Sequence, residues 1–87
     1  MQFVTTVRTP SNTYKATMER FKAGGGLPPA GVKMIGRWSR ADGSGCTVVC
    51  ETDDAVALAK WSAEWADVIS IEIAPVLTDA EMASVLS

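Results

Sequence analysis

The chain has 87 residues, of which 47% are hydrophobic, and its formal net charge at pH 7 is −2. A hydrophobic fraction of this size is typical of a globular protein, and the length predicts one domain over residues 1–87. The sequence lacks the clustered basic face of nucleic-acid binding proteins, an apolar run near the roughly 20 residues of a membrane span, and a signal-peptide pattern, so a cytoplasmic protein is expected.

The sequence contains no histidine and only two cysteines, Cys46 and Cys50. The absence of histidine excludes a Ser-His-Asp triad, a His-ligated haem and the usual pH switch. The cysteines lie in one predicted strand, where their Cα atoms would be ~13 Å apart, beyond the reach of a disulfide. We therefore expect two small buried thiols, no metal site and no cofactor.

A strand, a helix and a glycine-rich connection are predicted for the first third of the chain. A β-rich run over residues 2–7 is followed by Thr9–Asn12, which ends the strand and offers a capping hydroxyl. From Thr13 to Ala23 an amphipathic helix is predicted, because three apolar side chains follow helical spacing: Tyr14, Met18 and Phe21. Gly24–Gly26 comes after this helix without a following Lys-Ser/Thr, so we interpret it as a C-cap and not as a phosphate loop.

The segment from Gly31 to Thr52 is predicted to form a β-hairpin. Its strands, Val32–Ser39 and Cys46–Glu51, flank a polar connection that holds Asp42-Gly43, a dipeptide typical of hairpin turns. Regular alternation would give the first strand two faces, one with Lys33, Ile35, Arg37 and Ser39, the other with Val32, Met34, Gly36 and Trp38. The register stays open: an even-numbered connection pairs Trp38 with Thr47 and Met34 with Glu51, whereas an odd one brings Arg37 and Glu51 to the same face.

A second helix, a third long β-rich run and a short last helix complete the predicted elements. Thr52–Asp54 supplies an N-cap for a helix over Ala55–Ala66, in which Trp61 and Trp65 are neighbours at i, i+4. We interpret these tryptophans as buried packing or as an aromatic wall of a ligand pocket. Val68–Val76 alternates cleanly, with one face formed by Ile69, Ile71 and Ile73. Thr78–Glu81 is a capping box that opens the last helix.

The order β-α-β-β-α-β predicts a ferredoxin-like α+β fold, with a four-stranded antiparallel sheet, both main helices on one face and a short C-terminal helix. The isoleucine face of the last strand should lie under the helices. The opposite face, with Ser70 and Glu72, is then uncovered in a single copy. Because an open sheet face with aliphatic residues is an interaction surface, we expect a homodimer formed through this face.

Several blocks of this chain resemble a family of small bacterial proteins of unknown function. They are Gly31–Trp38, the Asp42-Gly43 turn, Glu51–Asp54, Trp61–Asp67 and Pro75–Leu77 with its acidic helix. The resemblance covers nearly the whole chain and implies a dimeric α+β barrel, like that of small cofactor-free monooxygenases and muconolactone isomerases, without implying an activity. Members commonly have His after Gly-Arg-Trp, where this chain has Ser39.

The candidate ligand-binding residues are Arg37, Trp38, Ser39, Glu51, Glu72, Trp61 and Trp65. In the main hypothesis, a non-catalytic or ligand-binding homodimer holds a small molecule in an apolar cleft, with Trp38 as its wall and Arg37 as an anion anchor. The alternative is a cofactor-free monooxygenase- or isomerase-like enzyme that uses Glu72 or Glu51 as base, so whether the protein is an enzyme stays open. A third hypothesis is a protein-interaction module that uses the last helix or a strand edge.

Overall fold

The computed structural model describes the whole chain, Met1–Ser87, and contains four strands and three helices. In chain order they are β1 (Gln2–Arg8), α1 (Tyr14–Gly24), β2 (Lys33–Ser39), β3 (Gly45–Glu51), α2 (Ala55–Trp65), β4 (Ser70–Val76) and α3 (Asp79–Leu86). The strands form one antiparallel sheet in the order β2-β3-β1-β4. The predicted ferredoxin-like α+β fold is confirmed. No helix has the length and apolar character to cross a membrane.

The sheet has two chemically different faces, which we call the helix face and the outer face. The helix face carries the residues that meet α1 and α2, namely Thr5, Val7, Arg37, Ser39, Cys46, Val48, Cys50, Ile71 and Ile73. A small core of Val32, Val48, Cys50 and Leu58 packs on this face at β3 and α2. Of the three isoleucines that were predicted to share a face, Ile71 and Ile73 lie in β4 on the helix face, and Ile69 comes just before this strand. The isoleucine face therefore lies under the helices, as predicted.

A β-bulge at Ile35 interrupts the regular pairing of β2 with β3. Met34 pairs with Cys50, whereas Gly36 pairs with Val49, so two steps along β2 correspond to one step along β3. A bulge inserts one unpaired residue and moves every later side chain to the opposite face. The expected regular alternation along this strand was therefore wrong. Met34 packs against the core, although Gly36 lies on the outer face.

The bulge also decides which face carries each charged residue of the hairpin. Trp38 lies opposite Thr47 on the outer face, as in the even-numbered alternative. The other pair of that alternative was wrong, because the bulge places Lys33, and not Met34, opposite Glu51. Arg37 lies opposite Val48, on the helix face. Arg37 and Glu51 are consequently on opposite faces of the sheet, and no direct pair between them forms.

The two ends of α1 are held in different ways. Gly25 has the left-handed conformation, and its N–H donates to the carbonyl of Phe21, which confirms the predicted glycine C-cap. At the other end no hydroxyl of Thr9–Asn12 caps α1, so this expectation was wrong. The chain enters α1 through a 3-10 turn over Ser11–Thr13, and the hydroxyl of Thr13, the N-cap residue, donates to the carbonyl of Val68 at 2.7 Å. This hydrogen bond links the start of α1 to the segment before β4.

The other two helices begin with side-chain caps. Asp54 accepts a hydrogen bond from the N–H of Ala57 at the start of α2. Thr78 and Glu81 form the predicted capping box of α3. The helix boundaries follow from these caps, because each satisfies backbone N–H groups that have no partner within the helix.

The chain exposes more surface than a monomer of its mass normally does. A 9.2 kDa monomer is expected to expose about 4,900 Å², whereas this chain exposes 5948 Å². Its radius of gyration is 14.1 Å, against about 12 Å expected for a compact domain of this length. The excess lies in part at the C-terminus, where every residue of 77–87 is exposed, and in part on the outer face of the sheet.

We predict that Gly45→Ala lowers the free energy of unfolding by at least about 2 kcal/mol. A Cβ at Gly45 would lie 1.9 Å from the carbonyl oxygen of Val7 on the neighbouring strand. The clash is with backbone, so the strands β1 and β3 would have to separate. Urea denaturation followed by circular dichroism measures the effect.

Gly24→Ala is the matched control, because a Cβ at this last residue of α1 has open space around it. Its free energy of unfolding should stay within about 1 kcal/mol of the wild-type value. An equal loss in both variants would contradict the close strand approach at Gly45.

Candidate functional site

An open cavity of about 160 Å³ lies between the helix face of the sheet and the two main helices. Its apolar wall is formed by Val7, Met18, Phe21, Val48, Leu58, Trp61, Trp65, Ile69, Ile71 and Ile73. An apolar cavity of roughly 150 Å³ is large enough to accept benzene. The space therefore suits one small ring or a short acyl chain, with room for more of the molecule at its open side.

The periodicities of three elements bring these side chains together. Met18 and Phe21, three residues apart on α1, point down from one side, as the helical stripe in the sequence predicted. Trp61 and Trp65, four residues apart on α2, form the other side. Trp61 also packs against the core cluster, so it combines the packing role and the wall position that the sequence left open.

The guanidinium of Arg37 lines the cavity and caps α1. Its two terminal nitrogens donate to the carbonyls of Gly26 at 2.8 Å and Gly25 at 2.9 Å. Its Cζ lies 4.6 Å from the centroid of the Phe21 ring, in cation–π geometry. The positive charge thus sits at the negative end of the helix dipole. Each terminal nitrogen therefore directs one N–H at the end of α1, and the role of Arg37 as an anion anchor stays a prediction.

The remaining polar groups of the cavity differ in whether they have partners. The Thr17 hydroxyl donates to the carbonyl of Thr13 at 2.9 Å. Ser39 is exposed at the mouth of the cavity. Thr5, in the middle of β1, is only 7% exposed, and its hydroxyl oxygen has no hydrogen-bond partner. Thr5 Oγ1 is the one buried side-chain oxygen or nitrogen of the chain that is left without a partner.

Both cysteines are free thiols on the helix face. Cys50 is completely buried, and Cys46 is half-buried and lines the cavity. Burial raises the pKa of both thiols, and the nearby charge of Arg37 opposes this rise only in part for Cys46. A raised pKa favours the protonated thiol, which is the weaker nucleophile. No group of three or more His, Cys, Asp or Glu side chains is placed to hold a metal ion.

The sequence-predicted site residues divide between the two faces of the sheet. Those that line the cavity are Arg37, Ser39, Trp61 and Trp65, and those on the outer face are Trp38, Glu51 and Glu72. Trp38 is 61% exposed. Its ring lies so close to Gly36 that a Cβ added at Gly36 would be 2.4 Å from it. Trp38 consequently does not form a wall of the cavity, because the bulge directs its side chain away from the helices.

Sequence reasoning missed Thr5 and did not connect the apolar stripe of α1 with the isoleucines of β4. A signal for the contact between α1 and β4 was present, since the apolar stripe of α1 and the isoleucine face of β4 were both expected between the helices and the sheet. For Thr5 the signal is weak: it is a lone hydroxyl between Phe3 and Val7 on a face that is otherwise apolar. Only the burial of its oxygen without a partner distinguishes it from an ordinary strand threonine.

We predict that Arg37→Met lowers the free energy of unfolding by about 2 kcal/mol, because two charge-assisted hydrogen bonds to the end of α1 are lost. Arg8→Met is the control, since Arg8 is exposed and forms no ion pair. Its effect should be within about 0.5 kcal/mol. Thermal and urea unfolding measure both. If Arg37→Met were as stable as Arg8→Met, the capping role would be contradicted.

Comparisons with known proteins identify a family but no characterised relative. No curated protein matches the chain, and no solved structure matches it. A family model described as "Domain of unknown function (DUF3303)" matches residues 1–87. The chain is thus a small α+β protein that belongs, over its whole length, to the DUF3303 family.

Proposed function

We propose that the protein is a homodimer in which each copy binds a small, mostly apolar molecule between its helices and its sheet. The observation that carries the proposal is the open cavity over the helix face, whose wall is built largely from aliphatic and aromatic side chains. Binding sites for small molecules are concave and mostly apolar, with few polar groups. A packed core of the same residues would close this space, whereas here it remains open to solvent.

The dimer is supported by the amount of exposed surface. The chain exposes 5948 Å², roughly 1,000 Å² more than expected for its mass. A standard protein–protein interface buries about 800 Å² on each partner. The excess lies only in part on the outer face, and that part is what an interface with a second copy would remove.

The chemistry of the outer face supports the same arrangement. Its central strands present neutral residues: Val4, Thr6, Thr47 and Val49. Charged residues stand at strand ends or on an edge strand: Arg8, Lys33, Glu51 and Glu72. An apolar or neutral centre with a charged rim is the usual pattern of a protein interface. Exposed Trp38 is the kind of aromatic side chain that contributes most to such interfaces.

The enzyme alternative receives less support. It required Glu51 or Glu72 as a base beside the bound molecule, and both lie on the outer face. The residues around the cavity include no Asp or Glu. General base chemistry needs a group within hydrogen-bond reach of the proton that is removed. We therefore propose binding, without a chemical step, for this cavity.

We predict that Val49→Glu weakens dimerisation by at least about a hundredfold, because two copies would bury unpaired carboxylates in the centre of the interface. Val56→Glu, on the exposed surface of α2, introduces the same change outside the interface and should leave the dimer intact. Analytical ultracentrifugation measures the dissociation constant, and circular dichroism verifies the fold. Equal dissociation constants for the two variants would contradict an interface on the outer face.

We predict that Ser62→Phe reduces the affinity for p-xylene, a neutral apolar probe, by at least about tenfold. Ser62 lines the cavity from α2, and a phenyl group there occupies the space that the probe needs. Ser84→Phe, on exposed α3, is the control and should bind like the wild type. The indole N–H signals of Trp61 and Trp65 in ¹⁵N NMR report binding. Unchanged affinity in Ser62→Phe would place the probe elsewhere.

A further inference from the structure

We infer that the ligand of the cavity is a neutral, largely apolar ring compound with a hydrogen-bonding oxygen, and that the hydroxyl of Thr5 binds this oxygen. The inference rests on the proposed function of the cavity and names its ligand class. Three observations carry it: the buried hydroxyl of Thr5 has no partner, Arg37 donates hydrogen bonds to two carbonyls, and the cavity has a volume of about 160 Å³.

Thr5 occupies the centre of the helix face. It lies on a central strand, opposite Val48 on one side and Ile73 on the other, and it lines the cavity. The residue is only 7% exposed, and its Oγ1 is shielded from solvent with no partner in the protein. An unsatisfied buried hydroxyl is unfavourable, and valine would fill the same volume without this penalty. A threonine here is thus a poor choice for packing alone.

A ligand in the cavity is the group that can satisfy Thr5. A 120° rotation about χ1 moves Oγ1 to another staggered position, and the inference requires the one in which Oγ1 faces the cavity that the residue lines. A second copy on the outer face cannot reach it, because Thr5 lies on the helix face. A hydroxyl both donates and accepts, so it can bind a carbonyl, ether or hydroxyl oxygen.

The polar groups around the cavity favour a neutral ligand over a charged one. Arg37, the one cation of the wall, already directs one N–H of each terminal nitrogen at a carbonyl, at 2.8 Å and 2.9 Å, and its guanidinium packs on the Phe21 ring. The wall contains no carboxylate that would bind an ammonium group. Transfer of an unpaired charge from water to such an apolar space is strongly unfavourable. A neutral molecule is therefore the species that fits.

The test compares three probes of similar shape: p-cresol, p-xylene and p-toluate. Dissociation constants are measured by ¹⁵N NMR for the wild type, Thr5→Val and Thr6→Val. Thr6 is the matched control, because it lies on the same strand but on the outer face. The change in the ratio of the p-cresol and p-xylene dissociation constants between variants cancels the difference in hydration of the two free probes.

We expect Thr5→Val to shift this ratio about five- to tenfold in favour of p-xylene, the loss expected for one hydrogen bond. Thr6→Val should leave the ratio unchanged, and p-toluate should bind the wild type at least about tenfold more weakly than p-cresol. Because valine has the shape of threonine and removes an unpaired hydroxyl, Thr5→Val should also unfold at the same temperature or higher.

The possible failures point to different steps. If p-xylene binds but Thr5→Val leaves the ratio unchanged, the role of Thr5 is overturned while the binding function stands. If p-toluate binds as tightly as p-cresol, the neutral ligand class is overturned. If no probe binds the wild type, the proposed function of the cavity fails, and the inference fails with it.

Discussion

The β-bulge at Ile35 decides what each face of the sheet carries, and the hydrogen bonds from Arg37 to the carbonyls of Gly25 and Gly26 depend on it. They exist because the bulge at Ile35 turns Arg37 toward the helices. Without the bulge, Arg37 would share the outer face with Lys33, and Trp38 would point under the helices. One extra residue in β2 thus assigns a helix cap to one face and an exposed aromatic side chain to the other.

Hydrogen bonds hold the ends of the two crossovers that carry the helices. Thr13 donates to the carbonyl of Val68, and Thr52 donates to that of Gly31 at 2.7 Å. The Arg37 cap adds a third contact, at the end of α1. Packing is sparse, since only 10 of the 87 residues are buried and a cavity of about 160 Å³ remains between the helices and the sheet.

The order of elements could be predicted because each has a local cause: helical spacing in α1, the left-handed glycine after it, and the capping box before α3. The isoleucine face of β4 was equally clear from alternation. The bulge could not be predicted, since Met34 and Ile35 are both apolar and an extra residue leaves the composition of a strand unchanged. The site was therefore only partly foreseen. Trp61 and Trp65 line the cavity, whereas Trp38, Glu51 and Glu72 are separated from it by the sheet.

The central claim is that the two faces of one sheet have different tasks, the outer face binding a second copy and the helix face holding a ligand. Native mass spectrometry of the full chain, purified gently from its own host, tests both at once. We predict a dimer of twice the 9.2 kDa chain mass. It should carry a reproducible neutral adduct, which gentle collisional activation removes. A monomer without an adduct, across the micromolar range, would contradict the central claim.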